Sequence, residues 1–128
     1  MRILKSAEDY LETIFILKKQ LGEVRSIDVV NHLKFSKPSV SIAMKTLREN
    51  DYIIVNSLGY ISLTEKGLEI AVRVSEKHHV LIQFLMALGV SEESAKEDAC
   101  KIEHDISEES YAKLKSYYMT HLIEKASH

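Results

Sequence analysis

The chain has 128 residues, of which 45% are hydrophobic and 28% are charged. This composition excludes an intrinsically disordered chain, and the length predicts one domain or two small ones. A single cysteine excludes an internal disulfide framework and favours a reducing compartment. The N-terminus is charged where a signal peptide needs an apolar stretch, and no uncharged run approaches the roughly 18 residues of a transmembrane helix. We therefore expect a soluble, cytoplasmic protein.

The net charge of −2 hides an asymmetry between the two halves of the chain. Residues 1–66 hold ten basic and eight acidic side chains, whereas residues 67–128 hold seven and eleven. A basic front and an acidic back allow nucleic acid at one end and cations at the other. Many proteins with neither partner show the same imbalance.

The apolar spacing near the N-terminus predicts a helix over about residues 6–20. Its main apolar stripe comprises Tyr10, Ile14, Leu17 and Leu21. Asp9, Glu12 and Ile16 lie on a different face. Gly22 then ends the helix in a left-handed cap.

Two more helices follow, joined by a tight turn at Lys34 and Phe35. The first begins with Ser26 as its N-cap, ends at Leu33, and turns three residues inward, namely Ile27, Val30 and Leu33. The second begins with Ser36 as its cap and Pro38 in its first turn, and it ends near Asn50. Its predicted inward residues are Val40, Met44 and Leu47.

Two β-rich runs, Tyr52–Asn56 and Tyr60–Leu63, are joined around Gly59 and predict a hairpin. Two short helices with a tight turn, followed by a hairpin, describe a winged helix-turn-helix. Residues 1–66 are therefore predicted to form a DNA-binding domain.

The second helix of this motif has the small, polar N-terminal surface that a major-groove helix needs. Its candidate DNA-binding residues are Ser36, Lys37, Pro38, Ser39, Ser41, Ile42, Lys45 and Thr46. Ser39 and Thr46 can reach base edges, Ile42 can contact a thymine methyl group, and the lysines suit phosphates. The alternative is a plain helical hairpin with a solvated, serine-rich face. No lysine or arginine lies between Glu49 and Glu65, so the hairpin tip has no cation for a phosphate.

Residues 67–128 predict an all-helical domain. Thr64 caps a long helix that reaches Leu88, and its heptad-like seam suits helix packing, including packing between subunits. The seam comprises Ala71, Val74, His78, Leu81, Leu85 and Leu88. After Gly89, Ser91 caps a helix whose stripe comprises Ala95, Ala99, Ile102 and Ile106. Ser107 caps a last helix that carries Tyr111, Leu114, Tyr118 and Leu122.

A dense group of metal-ligand residue types lies in this second half. On a helix, Cys100, Glu103 and His104 are spaced i, i+3, i+4 and share a face. A thiolate, a carboxylate and an imidazole together form a good set of ligands for a divalent transition metal.

Two further clues come from other helices. His78 occupies a seam position where leucine or valine is expected, although alone it favours a satisfied interfacial histidine. Asp9 and Glu12 alone favour a solvated helix face. Because three separate helices each offer a ligand-type group, one cation could hold all three together.

The sequence resembles the diphtheria toxin repressor (DtxR/MntR) family of metal-dependent transcriptional repressors over nearly its whole length. The resemblance is carried, in order, by SAEDYLETIFIL at 6–17, FSKPSVSIAMKTL at 35–47, ISLTEKG at 61–67, HHVLIQFL at 78–85 and CKIEH at 100–104. It implies a homodimer with an N-terminal winged helix, a helical dimerisation half and a divalent metal that favours operator binding. The ligands it implies by position are Asp9, Glu12, His78, Cys100, Glu103 and His104.

The implied ligands combine features of two branches of the family. The chain is similar to the short manganese-responsive branch, which shares Asp9 but has a carboxylate at the position of Cys100. The iron-responsive branch shares Cys100 but usually has methionine at the position of Asp9. Aspartate oxygen suits Mn²⁺, whereas sulfur suits Fe²⁺, Co²⁺ or Zn²⁺. Ile82 replaces a glutamate that often serves an ancillary site.

We therefore expect a metal-dependent repressor that is loaded with Mn²⁺ or Fe²⁺ and controls metal-ion transport genes. One alternative is a winged-helix regulator that ignores metal. Another alternative is a metal-dependent hydrolase. The sequence argues against it, because it contains no HExxH motif, no glycine-rich loop and no separate general base.

Overall fold

The computed structural model describes residues 5–122, with Lys5 described by its backbone only. The elements in chain order are α1 (Lys5–Leu21), α2 (Ser26–Leu33), α3 (Lys37–Glu49), β1 (Ile53–Val55), β2 (Ile61–Leu63), α4 (Glu65–Ala87), α5 (Glu92–Ile102), α6 (Glu108–Tyr117) and a π-helical turn (Tyr118–Leu122). This mainly helical order confirms the predicted fold class, a winged helix-turn-helix followed by a helical half.

The chain divides into two compact units, the first ending at Arg73 and the second beginning at Val74. The predicted domain division at residues 66 and 67 falls at the start of the same helix, α4, and stays a prediction. The outer ends of both predicted domains, residues 1–4 and 123–128, lie outside the described residues. Within the described residues, no helix is long and apolar enough to span a membrane.

The first helix buries most of its predicted stripe. Tyr10, Ile14 and Leu17 lie in the core of the first unit, and Gly22 has the predicted left-handed φ of +84°. The prediction for Leu21 was wrong, because this side chain is exposed. Leu21 is the last residue of α1, and Val24, beyond the Gly22 turn, fills the core instead.

The second helix begins at the predicted residue but is capped differently. Ser26 is its first residue and not its N-cap. The flanking residue Arg25 is extended, and its N–H donates to the Asp28 carboxylate at 2.9 Å. Ile27 is 44% exposed, whereas Val29 is fully buried. The predicted inward face was therefore wrong at Ile27 and missed Val29, while Val30 and Leu33 pack partly against the core.

The third helix and the hairpin follow the predictions. Ser36 caps α3 by accepting the Ser39 N–H at 3.2 Å, and Pro38 lies in the first turn. The inward residues of α3 are buried, namely Val40, Met44 and Leu47. The two strands pair antiparallel and turn Ile53 and Ile61 into the same core.

The long helix α4 begins with the predicted cap, because Thr64 Oγ1 accepts the Gly67 N–H at 3.1 Å. Ala71, Val74 and Leu81 are buried along the predicted seam. Leu88 is exposed and lies beyond the end of α4. The seam prediction was wrong there, because the chain leaves the helix before Gly89, which has a φ of +103°.

The second unit has two apolar clusters that share α4. Val80 packs with Tyr111, Tyr118 and Leu122. Leu81 and Ile82 pack with Ala95 and Ala99 of α5. The predicted caps Ser91 and Ser107 are confirmed, since each hydroxyl oxygen accepts the N–H three residues later. The second unit therefore fixes α5 and α6 against α4.

Candidate metal centre and nucleic-acid interface

The exposed face of α3 contains every residue predicted to contact DNA. All eight are exposed, and Ile42 shows 68% of its surface. They are Ser36, Lys37, Pro38, Ser39, Ser41, Ile42, Lys45 and Thr46. The buried residues of the same helix lie on the opposite side and hold α3 in the first unit. The exposed face thus carries small, polar and basic side chains together with Ile42, and these side-chain types suit a helix in the major groove.

Three hydroxyl groups on this face already have partners within the helix. Ser36 Oγ donates to Ser39 Oγ at 2.8 Å while it caps the helix. Thr46 Oγ1 donates to the Ile42 carbonyl at 3.0 Å. In this arrangement Thr46 offers a base edge an acceptor oxygen, so it suits the amino groups of cytosine or adenine.

The turn before α3 holds a cation, Lys34, that was not among the predicted DNA-binding residues. Lys34 has a left-handed φ of 59° and is exposed. Its N–H donates to the Val30 carbonyl at 2.8 Å, which closes α2. The sequence could have indicated Lys34, because a basic residue in the turn between the two helices is suited to contact a phosphate.

In the second unit, one carboxylate lies between two imidazoles. Glu103 Oε2 is 2.7 Å from His78 Nδ1 on α4. Glu103 Oε1 is 3.2 Å from His104 Nε2 in the turn after α5. Glu103 is only 2% exposed, so this carboxylate is removed from water. The structure thus brings together three of the predicted ligands, His78, Glu103 and His104.

The side-chain types around Glu103 fit a divalent metal. A buried carboxylate is costly unless its oxygens are satisfied. Within residues 5–122, Oε1 of Glu103 accepts no hydrogen bond, although His104 Nε2 is near. Two imidazole nitrogens and a carboxylate are ligands that Mn²⁺, Fe²⁺ and Zn²⁺ all accept. Ligand atoms of Glu103 lie within 4.8 Å of those of each histidine.

The helical spacing predicted for Cys100, Glu103 and His104 was wrong in its last step. Helix α5 ends at Ile102, Glu103 is its C-cap and His104 lies in the following turn. The Glu103 N–H still donates to the Ala99 carbonyl at 2.9 Å, which keeps this carboxylate on the inner side of α5. Cys100 is exposed on α5. Its role as a ligand stays a prediction.

Two predicted ligands, Asp9 and Glu12, belong to the first unit. They are three residues apart on α1 and half-buried. Burial and, secondarily, the Asp9 carboxylate raise the pKa of the neighbouring Tyr10. Their half-burial departs from the solvated face that either residue alone would favour. Their participation in a metal site stays a prediction.

Two family models cover most of the chain. The model of the iron dependent repressor, N-terminal DNA binding domain, matches residues 2–59. The model of the iron dependent repressor, metal binding and dimerisation domain, matches residues 64–121.

Named relatives agree with these models. The HTH-type transcriptional regulator MntR of Geobacillus kaustophilus is 36% identical over 102 residues, which are 80% of this chain and 72% of that protein. An uncharacterized HTH-type transcriptional regulator of Methanocaldococcus jannaschii is 34% identical over 115 residues, 88% of this chain and 92% of that protein.

Solved structures show the same fold. The manganese regulator SloR matches with a TM-score of 0.78 and 27% identity over 93% of this chain and 55% of that one. IdeR of T. acidophilum matches with a TM-score of 0.77 and 26% identity over 93% of this chain and 56% of that one. The chain spans about half the length of these two solved proteins.

These matches define a helix-turn-helix transcriptional regulator with a metal-binding and dimerisation domain. The chain belongs to the iron-dependent repressor family, which is the diphtheria toxin repressor (DtxR/MntR) family that its motifs resemble. It is a metal-dependent transcriptional repressor whose cofactor is a divalent transition metal. The relatives named above are transcriptional regulators, and they give the hydrolase hypothesis no support.

Proposed function

We propose that this repressor binds operator DNA as a homodimer when it is loaded with Mn²⁺ or Fe²⁺, and that it controls metal-ion transport genes. The observation that carries the proposal is the buried Glu103 carboxylate, which lies against one imidazole on α4 and another after α5. A buried carboxylate beside imidazoles is satisfied best by a cation that it binds together with a neighbouring imidazole.

We propose that Glu103, His78 and His104 form the centre of the metal site and that Asp9, Glu12 and Cys100 complete it. The family resemblance implies these three additional ligands, and the half-burial of Asp9 and Glu12 on one face of α1 supports them. A bound divalent cation would neutralise carboxylates that otherwise repel one another.

In this proposal the residues of the second unit preorganise the site. Glu103 Oε2 lies 2.7 Å from His78 Nδ1, and this hydrogen bond fixes the orientation of the His78 ring. Packing of Leu81 and Ile82 against Ala95 and Ala99 keeps α4 and α5 at a fixed separation.

The choice of metal follows from two positions. Asp9 offers a hard oxygen suited to Mn²⁺, and Cys100 a soft sulfur suited to Fe²⁺, Co²⁺ or Zn²⁺. The solved structures of the manganese regulator SloR and of ScaR with bound Zn²⁺ are both similar to this chain, at 27% and 26% identity.

On the DNA, we propose that α3 lies in the major groove. Lys37 and Lys45 neutralise phosphates, which sets affinity, while Ser39, Ile42 and Thr46 face base edges, which sets sequence preference. In a homodimer the two copies of α3 would be spaced by one DNA turn, about 34 Å.

The test is anaerobic DNA binding followed by fluorescence anisotropy at fixed salt. The probe is the promoter of the repressor's own gene or of a neighbouring metal transporter. Titrations are run with chelator, Mn²⁺, Fe²⁺, Co²⁺ and Zn²⁺. We expect specific binding only with metal, and the rank of metals to show whether Asp9 or Cys100 dominates. Equal binding with chelator would contradict the proposal and favour a metal-independent winged-helix regulator.

A further inference from the structure

The recognition helix α3 ends in a closed turn built without glycine. Asp51 has a left-handed φ of 62°. Its N–H donates to the Arg48 carbonyl at 3.1 Å, and the Tyr52 N–H donates to the Leu47 carbonyl at 2.9 Å. These are the two hydrogen bonds of a Schellman motif. The last turn of α3 is therefore well defined, and three carbonyl groups follow it, those of Asn50, Asp51 and Tyr52.

Each of these three carbonyls accepts a hydrogen bond from the start of α4. Lys66 Nζ donates to the Asn50 carbonyl at 3.2 Å. Thr64 Oγ1 donates to the Asp51 carbonyl at 2.6 Å. The Thr64 N–H donates to the Tyr52 carbonyl at 3.1 Å. Lys66 Nζ also lies 4.3 Å from the centre of the Tyr52 ring, a cation–π distance.

Gly67 brings the backbone of α4 against the same turn. A Cβ at this buried position would overlap the Tyr52 carbonyl oxygen and lie 3.0 Å from its carbon. The Gly67 N–H donates to Thr64 Oγ1, so the Thr64 hydroxyl caps α4 and binds α3 at once. We call Thr64, Lys66 and Gly67, with the three carbonyls they meet, the α3–α4 clamp. It makes the end of α3 and the start of α4 one rigid joint.

Helix α4 is continuous from Glu65 to Ala87 and also carries His78. His78 is eleven residues beyond Gly67 on this helix. Helix α4 thus carries the clamp at its first turn and the candidate metal ligand His78 farther along the chain.

We propose that Thr64, Lys66 and Gly67 are positioning residues that fix the direction of α3 relative to the first turns of α4, and that this joint transmits occupancy of the His78 site to the recognition helix. The inference rests on the proposed metal-dependent DNA binding. Allosteric coupling needs a physical element that both sites can bias. Helix α4 is the candidate element, because the clamp joins its first turn to α3 and the same helix carries His78.

The test compares Thr64→Val, which loses both hydroxyl hydrogen bonds at nearly constant volume, with Thr64→Ser, which keeps them. Lys66→Met tests the third contact without touching the backbone. Glu65→Gln, an exposed change in the same turn, is the matched control. Thermal melting establishes that each variant is folded.

Three quantities are measured for each variant: the Kd for DNA with chelator, the Kd for DNA with saturating Mn²⁺, and the Kd for Mn²⁺ without DNA. The ratio of the two DNA values is the coupling factor, typically about 5 to 150. For Thr64→Val and Lys66→Met we expect this factor to fall at least about fivefold, with unchanged Mn²⁺ affinity. Thr64→Ser and Glu65→Gln should keep the factor of the wild type.

The outcomes separate the two proposals. A wild-type coupling factor of one would overturn the proposed function and the clamp's role with it. A wild-type factor well above one that persists in the folded Thr64→Val and Lys66→Met variants would overturn the clamp alone. If the clamp had only a structural role, the Thr64→Val and Lys66→Met variants would melt at a lower temperature and would bind DNA more weakly by the same factor with and without Mn²⁺. That result would also overturn the proposed role of the clamp.

Discussion

Replacing Glu103 by glutamine should abolish tight metal binding while leaving the fold intact. Glutamine keeps the shape of the buried side chain, and its amide oxygen can still accept a hydrogen bond from His78. It removes the negative charge that lies 2.7 Å from one imidazole and 3.2 Å from the other. Groups that only orient a metal-bound histidine cost about 10- to 100-fold in metal affinity when lost. Because Glu103 is also a candidate ligand, we expect at least about 100-fold, or about 2.7 kcal/mol.

The assay is calorimetric titration of Mn²⁺ and Co²⁺ into wild type and Glu103→Gln. The matched control is Glu97→Gln, since Glu97 is an exposed carboxylate on the same helix, α5. The control should bind both metals like wild type. If folded Glu103→Gln bound both metals with a Kd within about threefold of the wild-type value, Glu103 would not be the centre of the metal site.

Further predictions concern three other residues, Tyr111, Lys45 and Cys100. The Tyr111 hydroxyl is buried and makes no hydrogen bond within the described residues, so Tyr111→Phe should raise the free energy of unfolding in urea by about 1 kcal/mol; a decrease would contradict this. Burial and nearby carboxylates raise the pKa of Tyr111 to about 12, so the folded state favours the neutral phenol. The contribution of Tyr111 to the free energy of unfolding should be constant below about pH 10 and fall as pH rises through about 12. Tyr111→Phe should reduce this loss. Lys45→Ala should weaken binding to operator and unrelated DNA alike and lower the slope of log K against log salt by about 0.9; an unchanged slope in anisotropy titrations would remove Lys45 from the phosphate contacts. Cys100→Ser should lower Zn²⁺ and Co²⁺ affinity relative to Mn²⁺, and an unchanged metal ranking in competition titrations would exclude sulfur as a ligand.

Local sequence signals predicted most of the fold. Serine caps, with their short side chains, start helices wherever a hydroxyl can accept an early N–H, and this located α3, α5 and α6. Two of the misses lie at the C-terminal ends of helices. Leu21 and Leu88 continue the apolar spacing of their helices but stand beside a glycine turn, where the chain leaves the core. Periodicity alone does not show where a helix stops facing the core.

The site was predicted in part for similar reasons. His78 stood out as a polar residue in an apolar seam, and the structure places it against Glu103. The end of α5 before Glu103 was missed, because the periodic signal carries on through His104. Of the α3–α4 clamp, the sequence predicted only Thr64 as the cap of α4. The contacts of Lys66 and Gly67 were not predicted, because their partners are backbone carbonyl groups that only the tertiary fold brings close. Every residue has a backbone carbonyl group, so the sequence does not show which of them will accept these contacts.

The most direct test of metal-activated repression is the metal affinity of the wild-type protein measured with and without saturating operator DNA. Coupling between two binding sites is reciprocal. If metal strengthens DNA binding by a given factor, operator DNA must strengthen metal binding by the same factor, about 5- to 150-fold for typical coupling. The account predicts this gain with operator DNA. A metal affinity that is identical with and without DNA would contradict it.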